Sequence, residues 1–487
     1  MLLNNIFRNA PEIEIEQISC DSRMPMKNAI FFCTKGVRYN GHDYIKEAVN
    51  NGAKVIVYDE DVDTSLPAVF VRVPDTLDAL NSVAAAFYGH PASGMENIIV
   101  GGNDHRSLIA YMIYRCIAHF RPSGYIGRLG IHYRDNELLS SVPTLTILDN
   151  QRTLQTMKNE GVLSCAYEQS YSSIELKKLA AIRTDAFVYT GTAVDEREFT
   201  EYESDYISSY RNYIAALPAG IDLVANSDDP YFARLTAGSR NRVITFGLSE
   251  GADYSASDIH IGKDGTSFTL HCAQDTYLVE TKLTGRSSVV PTLAVIAILA
   301  ERGYPLDEVI AFLAEEEAPS GTGQRLQLGQ PFQLVIEKAA TVSALKDILE
   351  YAKETTDARH RIVVLFGISA SSDQRYREEA ARLLKQSADM LILTENDSYD
   401  RDPIDLSNAF LRDMGDIRSV IVEDREDAIE AAIDLMNRDD TLLILGKGSD
   451  KFLYRSLGRD FYGGDSECAR RHIEERLEDY EETGEIY

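Results

Sequence analysis

Short apolar runs alternating with amphipathic stretches set the rhythm of this chain. Between residues 18 and 91 the runs at 29–33 (AIFFC) and 53–58 (AKVIVY) predict strands, and 44–51 and 76–88 read as helices. A larger region opens with a strand at 98–100 and an amphipathic helix at 107–120, then alternates strands and helices as far as Gly303. That alternation predicts a parallel sheet covered on both faces, with 187–189 and 220–225 among its buried strands. Residues 315–329, rich in Glu, Gly, Pro and Ser, interrupt it and place a linker at 319–323. A third α/β region follows, with strands at 362–366, 390–393 and 441–445 at the intervals of a doubly wound sheet. In such sheets ligands bind beyond the carboxyl ends of the strands, here Gly367, Thr394 and Gly446. The expected domains are therefore 1–93, 94–318 and 319–487.

Length agrees, since 487 residues suit about three domains of roughly 150 each. No segment approaches the ~18 uninterrupted apolar residues of a membrane span, so no membrane insertion is expected. The first sixteen residues mix apolar and acidic positions without a basic leader, which makes the cytoplasm the expected setting. A net charge of -28 repels phosphate backbones and argues against nucleic acid as a partner. The six cysteines lack metal-ligand spacing and read as reduced, mostly buried thiols, while His132, His260, His271, His360 and His472 are too isolated to form a ligand set.

The most informative stretch runs from Gly101 through Gly102, Asn103, Asp104, His105 and Arg106 to Ser107, directly after the strand at 98–100. A phosphate-binding loop at this place needs a glycine for close backbone approach, a lysine for the outer phosphates and a Ser or Thr hydroxyl for magnesium. Asp104, His105 and Arg106 stand in those three places. A carboxylate beside a triphosphate costs about 1 kcal/mol at ~4 Å in water and several in a partly dry site, so the loop should reject ATP. Arg106 restores part of the positive charge. We read the three as solvated loop residues that hold no ligand, and no cofactor is expected.

Around this loop the chain resembles the Mur ligases over essentially its full length, most closely those that add the third amino acid to a UDP-N-acetylmuramoyl dipeptide. Asp21-Ser22-Arg23, Phe32, Lys35-Gly36, Asn40-Gly41-His42-Asp43-Tyr44 and Gly52-Ala53 look like the family string "DSR…F…KG…DGH.F…GA", and Tyr88-Gly89-His90-Pro91 fits the run into the central domain. That first domain holds the uridine nucleotide in family members, which makes Ser22, Arg23, Lys35, Asn40 and His42 the substrate-binding residues the resemblance implies. The fold it implies is a three-domain α/β architecture: a small N-terminal α/β domain, a central P-loop-type parallel sheet and a C-terminal Rossmann-like domain.

Beyond Pro91 the family frame persists while its catalytic letters change. The family's GTNGKTT corresponds to Gly101–Ser107, its "TTP" to Ser141-Val142-Pro143, and its "EVSSH" to Glu168-Gln169-Ser170-Tyr171-Ser172. Glu168 thus remains as the implied magnesium ligand, and Thr190 and Asp195 survive from the next motif. The lysine that family enzymes carbamylate to hold a second magnesium falls at Tyr210. Asn226-Ser227-Asp228-Asp229-Pro230 and Leu283-Thr284-Gly285-Arg286 look like structural strings, but the nucleotide-facing asparagines become Ser288 and Pro291. In the last domain Asp373, Arg377 and Gly446-Lys447-Gly448 remain, while "DNPR", which grips the incoming amino acid, reads Asn396-Asp397-Ser398-Tyr399.

The replaced features all serve one reaction, in which ATP converts a carboxylate to an acyl phosphate that an amine attacks. The expected function is therefore a catalytically impaired Mur-ligase-like pseudoenzyme of peptidoglycan precursor metabolism, binding a UDP-muramoyl precursor or a cell-wall enzyme. Glu168, Asp195 and Arg377 are the catalytic residues the resemblance leaves in place. The competing expectation is an active ligase, with ATP and magnesium as its family cofactors, using a site rebuilt from Arg106, Glu168, Asp195, Asp373, Arg377 and Lys447. A purely structural subunit on a genuine ligase is a third class, for which the sequence has no exclusive feature.

Overall fold

The computed structural model describes residues 1–36, 39–138, 145–193, 197–273 and 275–483. It divides into two compact units, one of Met1–Thr190, Ser204–Leu223 and Ala233–Val243, the other of Gly191–Glu203, Val224–Phe232 and Ile244–Tyr487.

The first unit opens with a parallel sheet ordered β1 (Gln17–Ser19), β2 (Ala29–Phe32), β3 (Ala53–Tyr58), β4 (Val69–Arg72). The inner strand β2 is apolar and buried throughout because both of its faces are covered, while β3 and β4 each carry one exposed basic residue, Lys54 and Arg72. Phe31 and Cys33 pack with Ile45 and Ala48 of α1 (Ile45–Asn50), and Ile30 and Phe32 with Leu80, Val83 and Ala84 of α2 (Thr76–Phe87). Asp75 caps α2 through the Asp78 N–H at 2.9 Å and pairs with Lys177 at 2.9 Å; Asn81 donates to the Lys177 carbonyl at 3.0 Å. These bonds fasten the small sheet to the segment at 177–181.

The chain then runs through β5 (Glu96–Gly101), α3 (Arg106–Phe120), β6 (Ser123–Gly127), β7 (Gly130–Tyr133), β8 (Asn136–Leu138), α4 (Ile147–Asn159), β9 (Ser164–Gln169), α5 (Tyr171–Glu175), β10 (Ala186–Tyr189) and α6 (Arg197–Ala216). Within the first unit the strand order is β10-β5-β9-β6-β7-β8. The first four are parallel, as the alternation predicts, but β7 and β8 run antiparallel. Only Arg128 and Leu129 connect β6 to β7, too few residues for the crossover that a parallel partner needs. The β5–β9 register sets Val100 opposite Glu168 and Gly101 opposite Gln169.

After β11 (Asp222–Asn226), α7 (Phe232–Thr236) and β12 (Val243–Gly247), the second unit contains an antiparallel meander of β13 (Tyr254–Gly262), β14 (Gly265–Cys272) and β15 (Asp275–Thr281). This corrects the expectation of an all-parallel region up to Gly303; again a two-residue connection, Lys263-Asp264, forces reversal. α8 (Val289–Glu301) is buried nearly all round, Pro291 included, and α9 (Leu306–Glu315) follows.

The last sheet is ordered β16 (Gln324–Arg325), β17 (Gln333–Glu337), β21 (Thr441–Leu445), β18 (Ile362–Gly367), β19 (Met390–Thr394), β20 (Ser419–Ile421), parallel apart from β16. Val364, Phe366, Leu391, Leu393, Leu443 and Leu445 face α10 (Val342–Thr355), α11 (Gln374–Ser387) and α12 (Pro403–Met414). Their neighbours Val363, Leu365, Ile392, Leu442 and Ile444 face α13 (Arg425–Asp434) and α14 (Asp465–Thr483). A hairpin of β22 (Phe452–Arg455) and β23 (Gly458–Phe461) precedes α14. No helix among the described residues is long and apolar enough to cross a membrane. All six cysteines are thiols outside any disulfide and four are buried; burial pushes the Cys165 thiol up to about 12.

Candidate functional site

β5 ends at Gly101 and α3 begins at Arg106, so Gly102, Asn103, Asp104 and His105 form the loop at the mouth of the central sheet. Gly102 sits at φ +107°, a left-handed conformation that suits glycine, and His105 enters the helix at φ +48° without a side-chain cap. Asp104 and His105 lie beside each other, with His105 Nε2 3.5 Å from Asp104 Oδ1, and both are partly exposed.

Arg106 is different. Expected as a solvated loop residue, its side chain is only 13% exposed. Its Nε lies 3.2 Å from Glu168 Oε2, and its Nη1 donates to the Gly102 carbonyl. The β5–β9 register carries Glu168 to this point.

The Glu168 carboxylate is almost wholly enclosed and fully engaged. Besides Arg106 it accepts bonds from Ser107 Oγ at 2.9 Å, the Arg128 N–H at 2.8 Å and the Tyr125 hydroxyl. Burial first, and then the Glu168 charge, push the Tyr125 phenol well above its ordinary value, so it stays a proton donor. Tyr125 is in turn packed among Tyr111, Tyr114 and His132, whose Nε2 donates to the Leu129 carbonyl at 2.8 Å. Sequence reasoning missed Tyr125; its only local signal is an aromatic residue inside the strand Gly124-Tyr125-Ile126-Gly127.

A carboxylate offers about four acceptor positions, and here all four are used. Among the described residues no group of three or more His, Cys, Asp or Glu could hold a metal ion. With its four acceptor positions filled by protein donors, the Glu168 carboxylate as placed does not fit a divalent cation. Tyr210, at the place of the carbamylated lysine, is fully buried and donates to the Gln169 carbonyl at 2.7 Å. Asp195 and the Ser141-Val142-Pro143 string lie outside the described residues.

The N-terminal residues form two groups. Lys35 pairs with Glu60 at 2.5 Å, Asn40 donates to Glu60 at 2.9 Å, and His42 Nδ1 lies 2.7 Å from Asn40 Oδ1. His42 Nε2 lies 3.3 Å from the Asp59 backbone nitrogen and 3.2 Å from Asp59 Oδ1. Ser22 and Arg23 are engaged elsewhere: Ser22 Oγ donates to Glu47 at 2.5 Å, and exposed Arg23 forms a bidentate pair with Asp21.

In the last domain, the strand ends expected to receive ligand are tied together. Asn396 Nδ2 bridges the carbonyls of Gly367 at 2.8 Å and Gly446 at 3.3 Å. Lys447, 1% exposed, pairs with Asp397 at 2.7 Å. Asp373 caps α11 by accepting the Tyr376 N–H at 2.7 Å. Arg377 lines a cavity of about 200 Å³ with Glu378, Asp413 and Arg401, a cation the sequence reading passed over. The Asn226 to Pro230 string is local scaffold: Asn226 accepts the Asp228 N–H at 2.9 Å, and Asp228 accepts the Ser249 N–H at 3.0 Å.

A glycine loop between a central parallel strand and a helix, preceded by a small parallel sheet and followed by a doubly wound one, defines the architecture of three-domain α/β ligases. Solved structures with this fold include a UDP-N-acetylmuramoyl-L-alanyl-D-glutamate--2,6-diaminopimelate ligase, with a TM-score of 0.70 at 18% identity over 98% of this chain and 99% of that one. Another is MurF ligase from Thermotoga maritima in complex with ADP, with a TM-score of 0.63 at 16% identity over 95% and 98% of the two chains. Three family models match in order: "Mur ligase family, catalytic domain" at residues 14–88, "Mur ligase middle domain" at 107–299 and "Mur ligase, glutamate ligase domain" at 324–448. The UDP-N-acetylmuramoyl-L-alanyl-D-glutamate--2,6-diaminopimelate ligase of Halalkalibacterium halodurans is 30% identical over 475 residues, 95% of each chain. UDP-N-acetylmuramyl-tripeptide synthetase 2 of Oceanobacillus iheyensis is 28% identical over 90% of each. The chain belongs to the Mur ligase family.

Proposed function

We propose that this protein acts in peptidoglycan precursor metabolism on a UDP-N-acetylmuramoyl peptide, in the cytoplasm. The observation that carries this reading is the full-length match to ligases named for that substrate class, 95% of each chain in the first relative given above. The grouping of Lys35, Asn40 and His42 around Glu60 supports a ligand site in the first domain.

The relatives' names favour a working ATP-dependent ligase. In that reading the precursor carboxylate attacks the γ-phosphorus of ATP, ADP leaves, and an amino-acid amine displaces phosphate from the acyl phosphate. Arg377 with Arg401, which line one cavity, would take the carboxylate of the incoming amino acid.

One observation favours a second reading. Glu168 is closed by four donors, Arg106 among them, which supports an impaired member that holds the precursor as a sensor or as the partner of a cell-wall enzyme. Calorimetric titration with UDP-N-acetylmuramoyl dipeptide tests the shared proposal, and failure to bind it removes both readings. Phosphate release from ATP that needs both dipeptide and a diamino acid selects the ligase; precursor binding without phosphate release selects the impaired form.

A further inference from the structure

α3 begins on a cation. A guanidinium at the first residue of a helix faces the positive end of the helix dipole and is unfavourable there unless an anion answers it. Glu168 answers it at 3.2 Å, and the Gly102 carbonyl takes a second bond from the same guanidinium. The remaining acceptor positions of the carboxylate go to Ser107, Tyr125 and the Arg128 N–H. The chain packs tightly on this group: a Cβ at Gly127 would collide with both Glu168 Oε1 and the Tyr125 hydroxyl.

A phosphate loop sets the hydroxyl that meets a divalent ion directly after its lysine. Arg106 stands at that position, following His105, and its charged end touches the carboxylate on which such an ion would sit. We infer that the Arg106 guanidinium is the resident counter-ion of Glu168, a built-in substitute for a divalent cation, and that the head of α3 is a metal-independent site. A second cation brought to Glu168 would meet Arg106 at close range and would have to displace hydrogen bonds that are already made. The inference goes beyond the function proposed above and does not depend on precursor binding, because it concerns the protein and a metal ion alone.

The test is titration of the full-length protein with Mn²⁺, followed by the loss of the free-ion EPR signal. Wild type and Arg106→Lys are expected to show no Mn²⁺ binding that Glu168→Gln removes. Arg106→Thr, which deletes the cation and leaves a hydroxyl, is expected to gain a Mn²⁺ site at least about ten-fold tighter than any residual Mn²⁺ binding of wild type, and to lose that gain when combined with Glu168→Gln. Glu168-dependent Mn²⁺ binding in wild type, or a folded Arg106→Thr that gains none, overturns the inference. Should Arg106→Thr fail to fold, labelled isoleucine methyls of wild type decide. Ile126 shares a small cavity with Glu168. Its signal stays sharp in millimolar Mn²⁺ if Arg106 excludes the metal, and selective broadening refutes this.

Discussion

The Tyr210 hydroxyl donates a 2.7 Å hydrogen bond to the carbonyl of Gln169 and lies 3.3 Å from that of Gly102, so one phenol ties α6 to the ends of two strands. The ring is fully buried, 4.7 Å from Tyr206 and 5.8 Å from Tyr189 between centroids. The tyrosines spaced along α6 thus form a packed face at Tyr206 and Tyr210. Tyr210→Phe should destabilise the protein by about 1–3 kcal/mol, because a buried carbonyl loses its donor while the packing stays. Tyr210→Lys should cost more, since it buries an ammonium among aromatic rings. Urea unfolding followed by circular dichroism measures both, the chain having no tryptophan to report by fluorescence.

The Arg106–Glu168 pair should behave as a coupled unit. Arg106→Ala leaves a carboxylate that is 2% exposed without its counter-ion, for an expected loss of about 3–5 kcal/mol. Arg106→Ala combined with Glu168→Gln should lose less than the sum of the two single changes. A double-mutant cycle from urea unfolding gives the coupling, and additivity within about 0.5 kcal/mol would show that the two side chains are neighbours without an energetic bond.

This pair also shows what the sequence can and cannot reveal. The strands at 362–366, 390–393 and 441–445 were legible because each is buried on both faces, so local composition alone marks them. The β13–β15 meander was not, because its strands alternate half-buried and exposed polar residues such as Ser255, Ser257 and Asp258. Arg106 has no local feature that distinguishes it from a solvated loop arginine. Its environment is set by Glu168, sixty-two positions away, through the pairing of β5 with β9. Tyr125 belongs to the same non-local set. In the first domain Lys35, Asn40 and His42 were picked out, with Ser22 and Arg23, only through the family string they resemble; Glu60, which contacts Lys35 and Asn40, was not.

If the first domain holds the uridine nucleotide as proposed, His42→Ala should weaken the UDP-N-acetylmuramoyl dipeptide by about ten-fold, because Asn40 and its turn lose the side chain that orders them. His42 is 5% exposed and orders Asn40 and the turn before α1, so the melting temperature must be recorded alongside. An unchanged affinity in a folded variant would place the ligand elsewhere.

Acid should weaken the last domain through Asp440. Burial alone would raise its carboxyl, but bonds from the Arg361 side chain at 2.9 and 2.6 Å, with the N–H groups of Arg361 and Asn437, outweigh that and hold it below the ordinary range. The folded value lies under the unfolded one of about 3.9, so the stabilisation is fully present above about pH 4 and is lost as pH falls through the folded value. Melting temperatures of wild type and Asp440→Asn should differ most near neutrality and converge below about pH 4. A gap that stays constant down to pH 3 would contradict this.

Arg425 and Asp465 make the deepest ion pair described, both fully enclosed, with paired bonds of 2.7 and 2.8 Å. The same guanidinium donates to the Glu395 carbonyl at 3.1 Å and the Leu445 carbonyl at 3.0 Å, and Tyr462 donates to Asp465 at 3.0 Å. One planar fork therefore joins the start of α13, the start of α14 and the ends of β19 and β21. A lysine has the charge but not the fork, so it cannot serve two carbonyls and both carboxylate oxygens from one position. Arg425→Lys is expected to cost about 3–5 kcal/mol, nearly as much as Arg425→Met, because either leaves Asp465 and the strand-end carbonyls short of donors. Replacing Arg425 by Met and Asp465 by Leu together should recover part of that loss, since no buried charge is then stranded. If Arg425→Lys proves as stable as wild type in urea, the fork geometry is not what holds these four elements, and charge neutralisation alone suffices.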